Sequence, residues 1–518
     1  MSLLRSLATV GGYTGISRIL GFVRDILMAA VIGTGPVADA FFVAFRFPNF
    51  FRRLFAEGAF SAAFVPLFSR RLEEDGRAAA VRLAEETLSV LTAALLALTL
   101  AALVAMPQLM HLLAPGFADD PEKFDQAVLL TRLTFPYLLF VSLVALYGGV
   151  LNSLYKFAAM AAAPILLNVF FIATLIVVIP YADAPAGPAL AWTVTLAGIA
   201  QFLAMIWAAR RNGITLDFPL PRLTPGVRRT LRLMGPGVAS AGALQLNLVV
   251  GTIVASLQPG AVSYLYYADR VYQLPLGLIG IAFGVVLLPD LSRKLRAGQD
   301  QAARDSLNRG VELALLLTLP ATVALVAIPW PIVSVLFERG AFDAEAAAAT
   351  AWALGAFALG LPAYVLIKIL QPGFFAREDT WSPFVAAAWM VGVNVVLTVG
   401  LFYWIGFVGI ALATAIAAWV NTGLLALWLR RARFLVADRR LKSRLPRIAV
   451  ASVLMGGVLV AGQAVAMPWL TGGLAERAGA LTALVLGGMA VYFGFAILTR
   501  AADVREIVAT FRRRRVAD

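Results

Sequence analysis

The sequence predicts an all-α integral membrane protein of 14 transmembrane helices, built as two six-helix lobes related by a parallel internal repeat plus two additional C-terminal helices. Three observations predict it. Of 518 residues, 61% are hydrophobic and 14% charged, with a mean hydropathy of +0.85, which no soluble globular domain matches. Basic residues alternate in abundance from one loop to the next. A motif near the end of the second apolar run recurs six runs later.

Composition also limits the chemistry. The first apolar run is interrupted by Arg18, Arg24 and Asp25 and lacks a small-residue cleavage site, so it reads as a retained first helix rather than a cleaved signal peptide. There are no cysteines and one histidine, His111, which removes disulfides, thiolate metal sites and cysteine nucleophiles. His111 has no convergent partners for acid/base work and reads as an interfacial packing residue. Paired carboxylates in a large loop, a metal cluster and a nucleotide loop are all missing from the sequence, so the chain reads as a non-enzyme with no cofactor.

A span needs about 20 mostly apolar residues. Runs of that kind begin near Ala8, Pro36, Ala84, Phe124, Phe157, Gly187, Val227, Ala261, Leu307, Ala344, Trp381, Phe407, Leu445 and Arg477. Of the 43 lysines and arginines, 32 fall in the amino terminus, the even-numbered loops and the carboxyl tail, in clusters such as Arg70-Arg71, Arg228-Arg229 and Arg430-Arg431. Only Lys123, Arg339 and Arg477 fall in the odd loops. Short basic loops stay on the cytoplasmic side, so both termini are expected inside and the number of spans is even. The net charge of +14 is thereby read as a topology signal and a contact with anionic headgroups, not as a nucleic-acid surface.

The second span ends Ala59-Phe60-Ser61-Ala62-Ala63-Phe64-Val65-Pro66-Leu67-Phe68-Ser69-Arg70. The eighth ends Ala282-Phe283-Gly284-Val285-Val286-Leu287-Leu288-Pro289-Asp290-Leu291-Ser292-Arg293, with five residues matching in the same spacing. Pro48 with Pro275 and Pro164 with Pro383 fall at similar offsets. An even number of spans separates the copies, so the halves share one orientation, as in transporters built from parallel repeats. The expected divisions are residues 1–215 and 216–440 for the lobes, 441–500 for helices thirteen and fourteen, and 501–518 for a basic tail.

The remaining eight basic residues lie inside spans: Arg18, Arg24, Arg46, Arg52, Arg53, Arg132, Arg270 and Lys368. Each costs about 2.5–3.5 kcal/mol at a helix centre on insertion scales, and five of the eight lie in the first two spans. Helical phase puts Ser17, Arg24 and Met28 on one stripe and Arg18 and Asp25 on an adjoining one. In the second span Asp39, Arg46 and Arg53 share a face with Asn49, flanked by Arg52 and Glu57. Asp269 and Arg270 supply charge from the second half. Internal pairing of Asp25 with Arg18, Asp39 with Arg46, Glu57 with Arg53 and Asp269 with Arg270 leaves arginines in excess, which points to a water-filled cationic cavity for an anionic ligand with several oxygens, above all a diphosphate. Arg132 and Lys368 are single charges that snorkel or pair locally.

The run Ser17-Arg18-Ile19-Leu20-Gly21-Phe22-Val23-Arg24-Asp25, then Ala38-Asp39-Ala40-Phe41, Phe47-Pro48-Asn49 and Arg52 to Phe60, resembles the amino-terminal signature of the MurJ/MviN family. Tyr267-Ala268-Asp269-Arg270-Val271-Tyr272-Gln273-Leu274-Pro275 is similar to its counterpart in the second half. The resemblance implies membership of the multidrug/oligosaccharidyl-lipid/polysaccharide exporter superfamily and flipping of lipid II, the undecaprenyl-diphosphate-linked peptidoglycan precursor, across the bacterial inner membrane. It implies substrate binding by Arg18, Arg24, Arg52 and Arg270 with acidic neighbours Asp25, Asp39 and Asp269, and a tail groove formed by the last two helices. Lipid II and membrane lipids are the implied partners, with cell-wall synthesis machinery a further candidate and membrane potential a candidate energy source. One departure is that spans seven and eleven carry no Asp or Glu, only Asn247 and Asn394, so sodium coupling of the kind seen in some relatives is not expected. The alternatives are a flippase for another lipid-linked oligosaccharide, a MATE-like exporter, or a membrane-embedded enzyme on the same lipid.

Overall fold

The computed structural model describes residues 3–52 and 60–501. Arg53 and Glu57, two of the expected binding residues, lie outside the described residues, as does the basic tail beyond Ala501. The fold is helical almost throughout, and among the described residues the one β bridge joins Arg339 to Phe342.

The helices of the first compact unit are α1 (Leu3–Ile32), α2 (Pro36–Phe51), α3 (Ser61–Glu74), α4 (Gly76–Val104), α5 (Met106–Leu113), α6 (Pro121–Thr134), α7 (Tyr137–Ser153), α8 (Ala158–Ala173), α9 (Ile179–Ala182), α10 (Ala186–Arg211) and α11 (Pro225–Ser256). Local sequence explains the breaks. Gly33 adopts φ +56° between α1 and α2, a conformation glycine reaches without strain, and Pro36 then opens α2 where a missing N–H is harmless. Asp120 caps α6 by accepting from the Lys123 N–H. The core of this unit is aromatic and aliphatic, with Phe64, Phe68, Leu88, Leu146, Tyr147 and Met205 buried together.

The second unit contains α12 (Ala261–Arg296), whose first residues are counted with the first unit, then α13 (Asp300–Ala327), α14 (Pro329–Phe337), α15 (Ala344–Ala358), α16 (Leu361–Phe375), α17 (Trp381–Ile405), α18 (Phe407–Arg431), α19 (Arg439–Leu470) and α20 (Leu474–Leu498). One core joins α12, α13, α16 and α18 through Leu291, Leu307, Ile369 and Leu425. A second holds α19 and α20 to α13 through Leu316, Ile448, Met455 and Tyr492, whose hydroxyl donates to the Leu316 carbonyl at 2.6 Å.

Ten helical segments among the described residues are long and apolar enough to cross a membrane. The other four of the 14 expected spans fall on α1, α2 with α3, α11 and α12, of which α1, α11 and α12 run 30, 32 and 36 residues, ample for about 20. Charge dilutes their apolarity, as with Arg18, Arg24 and Asp25 in α1. In α17 and α20 only 17% of the apolar window is buried. Side chains such as Trp404, Val396, Leu486 and Leu498 are exposed, an apolar surface suited to contact with lipid.

The units divide at Ser263, with Arg339–Phe342 counted in the first. The sequence repeat instead starts its second copy before α11. The two boundaries answer different questions, since a repeat records register along the chain whereas α11 packs on α3, α4 and α5.

Candidate functional site

Arg24 sits in α1 and is 8% exposed. Its Nε and Nη2 donate to Oδ1 of Asp25 at 3.1 and 2.7 Å, and its Nη1 donates to Oδ1 of Asn168 at 3.0 Å. The guanidinium carbon stands 5.3 Å from the Phe171 ring centroid, one helical turn on from Asn168 in α8. Asn168 in turn donates Nδ2 to the Ser17 carbonyl at 2.9 Å. Three of the predicted residues, Ser17, Arg24 and Asp25, are therefore brought together, and the group that joins them is one the sequence reading missed. A lone amide in the apolar run of α8 was the available signal.

Arg18 is exposed. It lines a cleft of about 300 Å³ with Ser17, Thr14, Asn152, Phe157 and Pro164. Six residues separate it from Arg24, which rotates it about 240° around the helix, so the two arginines serve different faces. Arg52, at the end of α2, donates from Nε to the Asn49 Oδ1 at 3.1 Å, and Asn49 donates to the Phe45 carbonyl at 2.8 Å. The Arg52 fork is thus oriented by a residue one turn earlier.

Asp39 occupies a different environment. It is fully buried and accepts four hydrogen bonds: from Lys123 Nζ at 2.8 Å, the Gly260 N–H at 2.9 Å, the Ser263 N–H at 3.0 Å and the Ser263 hydroxyl at 2.6 Å. Gly260 to Ser263 form the first turn of α12, whose unsatisfied N–H groups and dipole favour a carboxylate. Lys123 is itself 4.2 Å from the centroid of the Phe117 ring.

In the second unit Asp269 accepts from the Gln273 amide, one turn along α12, and the Arg270 guanidinium lies 4.7 Å from the centroid of Tyr266. Lys368 is exposed on α16, and Arg132 donates from Nε to the Leu103 carbonyl at 3.0 Å.

The expected internal pairs need correction. Asp25 pairs with Arg24 rather than Arg18, Asp39 with Lys123 rather than Arg46, and Asp269 bonds Gln273 rather than Arg270. Arg46 donates instead to the Thr252 hydroxyl at 3.1 Å. The reason is common to the first two: a seven-residue spacing puts both groups on one face but about 10 Å apart along the axis, beyond a direct ion pair when a nearer partner exists. Arg339, in the turn before α15, has its pKa lowered by burial. Among the described residues no group of three or more metal-ligating side chains occurs.

In the second unit, α19 and α20 enclose a groove of about 660 Å³ lined by Leu459, Gly462, Trp469, Gly479, Leu484 and Gly488 among others. Its glycines let the two helices approach while leaving room along the crease.

A family profile described as lipid II flippase MurJ matches residues 28–478. A protein of Rhizobium tropici named probable lipid II flippase MurJ is 47% identical over 522 residues, covering 100% of this chain and 98% of the relative. The lipid II flippase MurJ of Burkholderia cenocepacia is 38% identical, covering 83% of this chain and 84% of its own. Among solved structures, one titled lipid II flippase MurJ in an inward closed conformation superposes with a TM-score of 0.76 at 26% identity, covering 95% of this chain and 98% of the other. An inward-facing multidrug transporter of the MATE family matches with a TM-score of 0.67 at 15% identity, covering 81% and 94%, a likeness of fold alone.

Proposed function

The chain belongs to the MurJ family of lipid II flippases, and from that premise we propose that it carries lipid II from the cytoplasmic to the periplasmic leaflet of the bacterial inner membrane by alternating access. The observation that carries this reading is the full-length match at 47% identity. The basic asymmetry of the loops supports a topology with both termini cytoplasmic.

Mechanistically, the headgroup diphosphate is bound by arginine forks. Arg24 is held in place by Asp25 and Asn168, so its geometry is preset before a ligand arrives, which reduces the ordering needed on binding. Arg18 and Arg52 supply further cationic donors, with Ser17 and Asn49 as their polar neighbours, and Arg270 with Asp269 contributes from α12. Arg53 and Glu57 extend the same stretch of sequence. A planar guanidinium donates to two phosphate oxygens at once. The isoprenoid tail lies along the apolar crease of α19 and α20.

Asp39 acts through structure: saturated by four donors, it fixes the start of α12 to α2 and α6. Transport requires anion affinity to differ between the inward and outward states, because a ligand bound equally in both shifts nothing. The membrane potential contributes about 2.3 kcal/mol per elementary charge per 100 mV, and the cycle runs without sodium.

Complementation tests the reading. Expression of this chain should restore growth and lipid II translocation in cells depleted of their own flippase, and failure to do so at normal membrane abundance would remove it.

A further inference from the structure

Along α13 the attachment points of the last two helices recur every four residues, which puts them on one face. Asn308 donates from Nδ2 to the Val436 carbonyl at 2.9 Å, in the connection before α19. Glu312 is 3% exposed. It accepts from Arg444 at 2.6 Å and from Arg440 at 3.2 Å, both in the first two turns of α19. The Leu316 carbonyl accepts from the Tyr492 hydroxyl of α20 at 2.6 Å. The next residue on the stripe is Pro320, inside the helix.

Pro320 explains why the third attachment is to a backbone group. In an α-helix the N–H of residue 320 donates to the carbonyl of residue 316, and proline has no N–H to give. Leu316 lies in a buried cluster with Ile448, Met455, Leu459 and Tyr492. A buried carbonyl short of its helical donor is costly until another donor reaches it. Tyr492, itself 1% exposed, brings a hydroxyl that needs a partner as much as the carbonyl does. The proline of one helix and the tyrosine of another are two halves of one lock.

The lock stands at one end of the crease between α19 and α20. On α20 the crease is lined by Gly479, Leu484 and Gly488, and Tyr492 follows one turn after Gly488 on the same face. On α19 the lining runs to Leu459 and Val458, one turn from Met455, which is buried with Tyr492. A Cβ on Gly488 would stand 2.9 Å from Leu459 and 3.4 Å from Met455, so the two helices close together here. α20 packs on α19 and on α14, and through Tyr492 it also bonds to α13.

We propose that Tyr492 is a positioning residue of the tail crease: by bonding the carbonyl that Pro320 leaves short of a donor, it sets where α20 lies against α13 and α19 and holds the crease open at a fixed width for a polyprenyl chain. This deepens, and rests on, the reading that the isoprenoid tail occupies that crease. A crease of preset width reduces the ordering needed when a chain enters it. The role concerns the tail, so binding of a headgroup that carries no tail does not depend on it.

The test compares two probes on the purified full chain in lipid nanodiscs: undecaprenyl diphosphate, and inorganic diphosphate, which has no tail. Tyr492→Phe keeps the ring and loses the hydroxyl. It should weaken binding of undecaprenyl diphosphate several-fold and leave inorganic diphosphate unchanged. Pro320→Ala returns a backbone donor to Leu316, so alone it should bind both probes as the parent does, and added to Tyr492→Phe it should bring undecaprenyl diphosphate binding back. Should Tyr492→Phe not accumulate in the membrane, Pro320→Ala should return its abundance to near the parent level. Equal weakening of both probes assigns Tyr492 to general stability and overturns the proposal. So does unchanged binding of the tailed probe, or a loss of binding or abundance that Pro320→Ala does not repair. Ala466→Phe tests the tail reading separately, because Ala466 lines the crease further along α19: it should weaken undecaprenyl diphosphate alone. If it weakens neither probe, the tail lies elsewhere, and the proposal falls with the tail reading rather than through the lock.

Discussion

The amide oxygen of Asn168 accepts a 3.0 Å hydrogen bond from the guanidinium of Arg24, 144 residues away in the sequence. With Asp25 on the other side of the fork, the arginine is bonded through all three of its nitrogens. A buried arginine in an apolar helix persists only where its donors are met, so Asn168 bears on both the fold and the chemistry of α1.

Asn168→Leu leaves a buried donor unmet, which costs about 1–3 kcal/mol, and releases the fork. The variant should reach the membrane but translocate lipid II at least about tenfold more slowly, the equivalent of roughly 1.4 kcal/mol. Asn168→Asp should also slow transport, because a second carboxylate neutralises the Arg24 charge. Parent-like rates for both variants would show that Asn168 only fills space.

Asp39 and Lys123 form a buried pair, and removing one partner of such a pair is worth about 3–5 kcal/mol. Asp39→Ala should lower the unfolding temperature more than Lys123→Met, since it strands the lysine and three other donors. The double variant should be no less stable than Asp39→Ala, because the stranded ammonium is gone. A double variant whose loss equals the sum of the two single losses would show that the groups act independently.

Topology is read directly by thiol labelling. Cysteines placed singly at Asp120 and Asp183, both exposed, should react with an impermeant reagent outside intact cells, whereas one at Gly298 should react only after the membrane is opened. Gly187 is a poor reporter despite its position near a predicted loop, because a side chain there would meet Val37 and Leu130 at 3.2 and 3.4 Å. Labelling of Gly298→Cys in intact cells reverses the assigned orientation.

Much of the fold was legible because lipid imposes one rule on every span. Hydropathy located the helices. The breaks within spans, such as that between α6 and α7 at Phe135-Pro136, were not legible, since an apolar run reads the same whether or not it bends. The candidate residues stand out in the sequence by type, above all the arginines of α1 and α2, but their pairings do not. Helical phase put Asp39 beside Arg46 because it carries no information about other helices, and it was a lysine from the first turn of α6 and the first turn of α12 that claimed the carboxylate. Asn168 went unremarked because one amide in an apolar run has no periodicity to reveal it.

In the proposed mechanism guanidinium forks, not positive charge alone, hold the diphosphate. The direct measurement is the lipid II translocation rate of Arg24→Lys and Arg270→Lys, at matched membrane abundance, beside Arg132→Lys. Lysine keeps the charge and loses planar bidentate geometry. Arg24→Lys and Arg270→Lys should fall at least about tenfold, roughly 1.4 kcal/mol of lost stabilisation, while Arg132→Lys, whose arginine donates to the Leu103 carbonyl, should stay near the parent rate. Parent-like translocation by Arg24→Lys and Arg270→Lys would contradict the fork mechanism and leave general electrostatic attraction in its place.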